Sequence, residues 1–161
     1  MKIAMVRSAL LLVLVSLWAG CNRTKVDPQN IEGTIGAAIS QRCMTVRNCS
    51  VRLSDLTPFK WDRMFYFEYG VAPSDRERAV GTSFNTRELQ RQLVFLRDGK
   101  VIDNEFLPTD VEKPIANQIV FETDESDKPM SPFACDNSAI FQATYDGFGT
   151  GIPFYVLKLV K

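Results

Sequence analysis

Leu93-Val-Phe-Leu-Arg-Asp98-Gly99-Lys-Val-Ile102 is the stretch whose reading decides the fold. Two apolar runs, Leu93 to Leu96 and Val101-Ile102, flank Asp98-Gly99, a pair that tolerates the positive φ required at both central positions of a tight hairpin turn. The spacing predicts an antiparallel hairpin and therefore a sheet built from local pairings. Upstream, Trp61-Asp-Arg-Met-Phe-Tyr-Phe-Glu-Tyr69 places Phe65, Phe67 and Tyr69 on one face and Met64 and Tyr66 on the other. That pattern suits a strand covered on both sides, central in its sheet. Further extended runs are expected around Thr45 to Leu53, at Gln118 to Glu122, at Ser138 to Tyr145 with Ala139, Phe141, Ala143 and Tyr145 alternating, and at Phe154 to Val160.

Helical signals are few and early. Asp27-Pro28 reads as an N-cap followed by proline at the first helical position, with Ile31, Ile35, Ala38 and Ile39 along one face. Gly33 and Gly36 weaken such a helix by about 1 kcal/mol each relative to alanine, so it needs a sheet to pack on. Ser74 with Glu77 three residues on has the form of a capping box, Pro73 precedes it, and Gly81 would end that short helix. Together these patterns predict one α+β domain over residues 28–161, a mainly antiparallel sheet with an N-terminal helix and one short helix packed on it. No internal repeat is apparent.

With 45% apolar and 24% charged residues the chain lies in the globular range. Histidine is absent, which removes the usual general base at neutral pH, the Ser-His and Cys-His nucleophilic pairs and the commonest transition-metal ligand. We therefore assign no catalytic, cofactor-binding or metal-binding residue from the sequence, and expect a noncatalytic protein with no cofactor. A hydrolase using carboxylates such as Asp62 or Asp146 is the rival reading. Glu122-Thr-Asp-Glu-Ser-Asp127 clusters acids without the ligand spacing of a calcium loop. Gly147-Phe-Gly-Thr-Gly151 is followed by Pro153 and an expected strand, whereas a phosphate-cradling loop needs a helix there.

The first 20 residues have the build of an export signal: Lys2 and Arg7, an apolar run from Ala9 to Trp18, then Ala19-Gly20 before Cys21. The run is too short for a bilayer span, which takes roughly 20 apolar residues. Leu17-Trp18-Ala19-Gly20-Cys21 resembles the lipobox of bacterial lipoproteins, with Trp18 where that family prefers leucine. The resemblance implies cleavage before Cys21, lipidation of that cysteine, a short tether over residues 21–27 and a membrane as partner. Since Asn22 is not the aspartate of inner-membrane retention, it further implies the outer membrane, facing the periplasm, in a Gram-negative cell. A structural lipoprotein linking envelope layers is a third possibility. Removing residues 1–20 takes two of the 19 basic residues and none of the 19 acidic ones. A net charge of about −2 is left, which gives no electrostatic reason to expect nucleic acid.

Export would place the remaining cysteines where disulfides form. Cys43 and Cys49, with five residues between them, are candidates for a local bridge; Cys135 is an alternative partner for either, or a small buried hydrophobe in Phe133-Ala-Cys135. Asp55-Leu-Thr-Pro-Phe59-Lys-Trp61-Asp62-Arg-Met-Phe65-Tyr-Phe67 resembles a stretch of small bacterial envelope lipoproteins of unknown function that carry a Phe-x-Trp-Asp core before an aromatic strand. That likeness implies no catalytic residues. Phe59, Trp61, Phe65 and Phe67 are expected to be structural anchors that dock the turn and the strand into the core. A protein partner in the envelope is the further expectation.

Overall fold

The computed structural model describes residues 30–43, 49–109, 115–122, 132–146 and 154–160. The expected start of the first helix at Asp27-Pro28 lies outside them, as do the signal, Cys21, the Gly147–Gly151 loop and most of the acidic cluster. Among the described residues the α+β expectation holds, with the strands in two sheets of four.

In chain order the elements are α1 (Ile31–Cys43), β1 (Cys49–Arg52), a 3-10 turn (Leu53–Asp55), β2 (Arg63–Phe67), α2 (Pro73–Val80), β3 (Arg91–Arg97), β4 (Lys100–Leu107), β5 (Ile119–Glu122), β6 (Phe133–Asp136), β7 (Ile140–Asp146) and β8 (Phe154–Leu159). One sheet runs β1-β7-β8-β5 and the other β4-β3-β2-β6. All pairings are antiparallel except that of β5 with β8.

The hairpin forms where the sequence places it. Asp98 and Gly99 have φ of 52° and 71° between β3 and β4, and a bulge at Phe95/Leu96 adds local twist. As expected, β2 is central and covered on both faces. Met64 and Tyr66 point into the core between the sheets, together with Leu93, Phe95, Phe121, Phe133, Phe141 and Leu157. Phe65 and Phe67 point the other way, with Val71, Val80, Val94 and Leu96 forming a second cluster, against which Ala79 and Phe84 pack. Tyr69 does not join that face, because the strand ends at Phe67 and Tyr69 is 40% exposed beyond it.

α2 starts earlier than the sequence reading places it, and the expected cap of α1 at Asp27 lies outside the described residues. The carbonyl of the Asn30 side chain accepts the Gly33 amide at 2.6 Å, so Asn30 is the side-chain cap at the first described turn of α1. In α2, Ala72 is the N-cap residue, with no side-chain cap. Pro73 takes the first helical position, where its fixed φ suits the helix and its missing N–H is not needed. Ser74 is therefore already inside the helix, and the capping box does not form. Gly81 ends α2 in the left-handed conformation, φ 84°, as expected.

α1 closes one end of the sandwich. Its first turn is bonded to β5 through Glu32 and Ile119. A Cβ at Gly36 would lie 3.8 Å from the Tyr155 ring of β8 and 3.2 Å from the Asn117 carbonyl. Its last residue, Cys43, is joined by a disulfide to Cys49 at the start of β1. Since β5 and β1 are the two edges of that sheet, the helix crosses its whole width. Thirteen residues of helix make about 20 Å, enough to cross four strands at roughly 4.8 Å spacing. Ile35 and Ile39, both 0% exposed, plug the space between the sheets.

Candidate functional site

Two buried guanidinium groups organise the polar interior, and both belong to regions that a hydrophobic pattern treats as background. The first is Arg91, at the start of β3 and 3% exposed. Its Nη1 donates to the Ile119 carbonyl at 2.9 Å, and its Nη2 donates to the Pro108 carbonyl at 2.7 Å and to Glu32 Oε1 at 3.1 Å. Glu32 is fully buried, and Oε1 also accepts the Ile119 amide at 2.9 Å. One ion pair thus fastens α1, β3, β5 and the chain after β4. Burial pushes the Glu32 carboxyl up from its ordinary value, and the neighbouring Arg91 charge opposes that shift.

The N-terminus of α1 receives a second acid. The Glu105 carboxylate of β4 accepts the Ile31 amide at 2.6 Å and the Glu32 amide at 3.2 Å. These are free donors at the positive end of the helix dipole, where a carboxylate is favoured. Beside this centre, Tyr66 donates its hydroxyl to Glu68 at 2.6 Å. Burial foremost, and the Glu68 charge with it, raises the phenol pKa against the opposing pull of Arg91.

The second guanidinium is Arg76 of α2, 0% exposed on the other face of the β4-β3-β2-β6 sheet. It donates to the carbonyls of Val71, Glu68, Glu88 and Gln90 and, at 2.7 Å, to Gln92 Oε1. It also lies 5.5 Å from the centre of the Phe67 ring. Gln92 in turn donates to Asn104 and to the Asn85 carbonyl. Arg91 and Gln92 are neighbours in one strand, so the alternation of β3 sends one polar network into each layer.

The residues singled out in the sequence fall into structural places. Phe59 and Trp61 set their rings edge-on to Phe95, with centroids 5.2 and 5.5 Å away. Trp61 Nε1 donates to Thr57 Oγ1 at 2.9 Å. Phe65 and Phe67 stack at 6.1 Å. Asp62 is exposed, and its Oδ2 accepts the Asp98 amide at 2.7 Å, which locks the hairpin turn. This is the turn role, at the end of the molecule opposite α1. Asp62 and Asp146, the two acids of the rival hydrolase reading, lie at opposite ends: Asp62 beside the β3-β4 turn, and the Asp146 backbone opposite Phe154 at the start of β8. Glu122, the described member of the acidic cluster, pairs with Lys158 at 3.3 Å. Cys43 and Cys49 are bridged, and Cys135 is a free, buried thiol whose pKa burial raises to about 12.

Sequence reasoning missed Glu32, Arg91, Arg76 and Gln92. For Glu32 a signal existed: it precedes Ile35 by three residues and Ile39 by seven, the spacing of one helix face. An acid on that stripe asks for a buried cation. What these centres do chemically is hold charge in place; Glu32, Arg91 and Arg76 are bonded across elements and sealed from solvent. Compared with known proteins, the chain matches no family model, no curated protein and no solved structure.

Proposed function

We propose that this chain is a membrane-anchored envelope lipoprotein whose α+β domain works as a noncatalytic binding or accessory module, of the inhibitor, immunity or assembly type. The observation that carries the reading is the lipobox-like Leu17-Trp-Ala-Gly-Cys21, followed after nine residues by the cap of the first helix. Support also comes from the Cys43–Cys49 bridge, since disulfides persist in exported proteins and are rare in the reducing cytosol. The buried ion pair adds to it, because Glu32 and Arg91 are committed to fastening elements together. Two acyl chains and an amide-linked third, as the lipoprotein resemblance implies, anchor far more firmly than one, at about 0.8 kcal/mol per buried methylene.

The test is the mass of the mature N-terminus in cells that express the chain, alongside crosslinking in intact cells. A triacylated Cys21 and a single dominant crosslinked protein are the expected results. A chain that begins at Met1, or a bare thiol at Cys21, would remove the anchor, and the absence of any crosslinked partner would remove the binding role.

A further inference from the structure

From the end of the sandwich that α1 closes, we infer a lipid-facing surface: this end lies on the headgroup layer of the bilayer. The inference rests on the proposed anchor at Cys21 and names what the domain presents to the membrane.

Several elements finish at this end. β2 and β4 run toward it, β3, β5 and β8 start from it, and the cap residue Asn30 lies on it. The outward face of α1 carries Thr34, Ala37, Gln41 and Arg42, with one charge and no acid. Around it stand three exposed side chains with large apolar bodies: Tyr145 at 67%, Leu89 at 64% and Tyr69 at 40%. The Arg87 guanidinium carbon lies over the Phe106 ring, 4.4 Å from its centre, and Glu88 is a neighbouring exposed acid. Tyrosine and arginine, each an apolar body with a polar tip, suit the boundary between acyl chains and water. The opposite end also exposes Leu159 and Val160. The turns there carry charge of both signs, including Asp55, Lys60, Asp62, Arg97, Asp98 and Lys100, as do Arg42, Arg87, Glu88 and Glu105 at the α1 end, so the tether decides between the two ends.

Tether length agrees with this orientation. From Cys21 to Asn30 is nine residues, at most about 30 Å when fully extended. A domain of this size has a radius of gyration of about 14 Å and is therefore roughly 35 to 40 Å across. The α1 end is held within reach of lipid. The far end could touch it only with the tether drawn out along the side of the domain.

Hydroxyl-radical footprinting of the processed chain on vesicles of phosphatidylethanolamine and phosphatidylglycerol tests the surface. Each residue's oxidation rate is divided by its rate in the same chain unfolded in urea. Leu89 and Tyr145 are expected to be protected several-fold relative to Val160, whose exposure is similar at 59%. Equal rates at the two ends, or protection at Val160, would overturn the inference. So would protection at Leu89 and Tyr145 in intact cells that disappears on pure lipid, since that outcome assigns the end to a protein. Failure of the anchor itself is read separately, as an unmodified Cys21 in the mass spectrum. In that case the full chain, coupled through the Cys21 thiol to a maleimide-bearing lipid, is footprinted in the same way. Loss of the protection pattern on the coupled chain counts against the surface alone.

Discussion

Glu32 in the first turn of α1 and Arg91 at the head of β3 are 59 residues apart in sequence and meet at 3.1 Å with almost no exposure to solvent. Neither group has water to fall back on. Removing one partner strands a charge in the core, whereas replacing both with apolar residues removes the desolvation cost as well. Glu32→Ala or Arg91→Leu is expected to destabilise the domain by about 3–5 kcal/mol. The double variant Glu32→Leu/Arg91→Met should lose less than the sum of the single changes. Urea titrations of the four chains check this, and additive losses would show that the two groups act independently.

The same pair sets a pH dependence. Burial holds the folded-state pKa of Glu32 above its ordinary value of 4.5. The folded chain therefore binds the proton more tightly than the unfolded one. The stability this group contributes is fully present below about pH 4.5 and is lost as pH rises through the folded pKa. Asp136 has the opposite sign: bonds from the Ser138 hydroxyl and amide depress its pKa below 3.8, so its contribution is present above that value and is lost on acidification. Comparing wild type with Glu32→Gln across pH 3 to 8 isolates the first effect. Relative to the variant, wild type should weaken as pH increases; a difference that grows instead would reverse the assignment.

Arg76 is a sharper test of geometry than of charge. Its planar fork satisfies four backbone carbonyls and the Gln92 side chain at once, which a lysine ammonium with three donors on a flexible stem does not reproduce. Arg76→Lys keeps the charge but should cost about 2–4 kcal/mol, since each buried polar group left unpaired costs about 1–3 kcal/mol. Thermal unfolding of the two chains measures it. A near-neutral result would mean that charge alone matters at this site.

Much of this arrangement was legible because it is local. Asp98-Gly99 demanded a turn wherever the rest of the chain went, and alternation from Met64 to Phe67 announced a strand with two covered faces. The division of the strands into two sheets was not legible, because β1 pairs with β7 and β5 with β8 across about 90 and 35 residues. β6 was missed for a related reason: at four residues, Phe133–Asp136, it is too short for alternation to separate it from a loop, and pairing with β2 makes it a strand. At Ser74 a local rule gave the wrong start because Pro73, one residue earlier, satisfies the helix by removing a donor. Buried charges escape hydrophobic patterns altogether; only their partners, remote in sequence, make them tolerable in the core.

The Cys43–Cys49 bridge closes a short loop with a sequence separation of 6. Chain-entropy reasoning gives about 2 kcal/mol for a loop of that size. Since the bridge ties the end of α1 to β1, Cys43→Ser/Cys49→Ser should lower stability by about that amount. Thiol labelling, with the labelled residue identified by peptide mapping, separates the three possible pairings. In a chain whose Cys21 is acylated, no thiol should react in the native state, because Cys135 is buried with a pKa raised to about 12. One should react after unfolding without reductant and three after unfolding with it. A reactive thiol at Cys43 or Cys49 in the native chain would contradict the bridge.

Trp61 joins more structure than its size alone suggests. Its ring packs on Phe95, its indole N–H reaches Thr57, and its backbone carbonyl accepts the Asn137 side-chain amide at 2.9 Å. Asn137 also accepts the Ser54 hydroxyl at 2.8 Å and donates its amide to the Asp62 carbonyl. The turns after β1, before β2 and between β6 and β7 therefore share one lock at the end opposite α1, next to the hairpin turn that Asp62 holds. Trp61→Ala should cost about 3–5 kcal/mol, the usual range for truncating a buried aromatic residue, and Phe59→Ala less, because Phe59 is only half buried. Asp62→Ala removes one exposed bond to the Asp98 amide and should cost about 1 kcal/mol. Because the lock gathers turns at one end, hydrogen exchange in Asp62→Ala should rise at the amides of Asp98 and Asn137 while those of α1 keep their protection. A uniform rise across the domain would mean that the turn and the helix end open together.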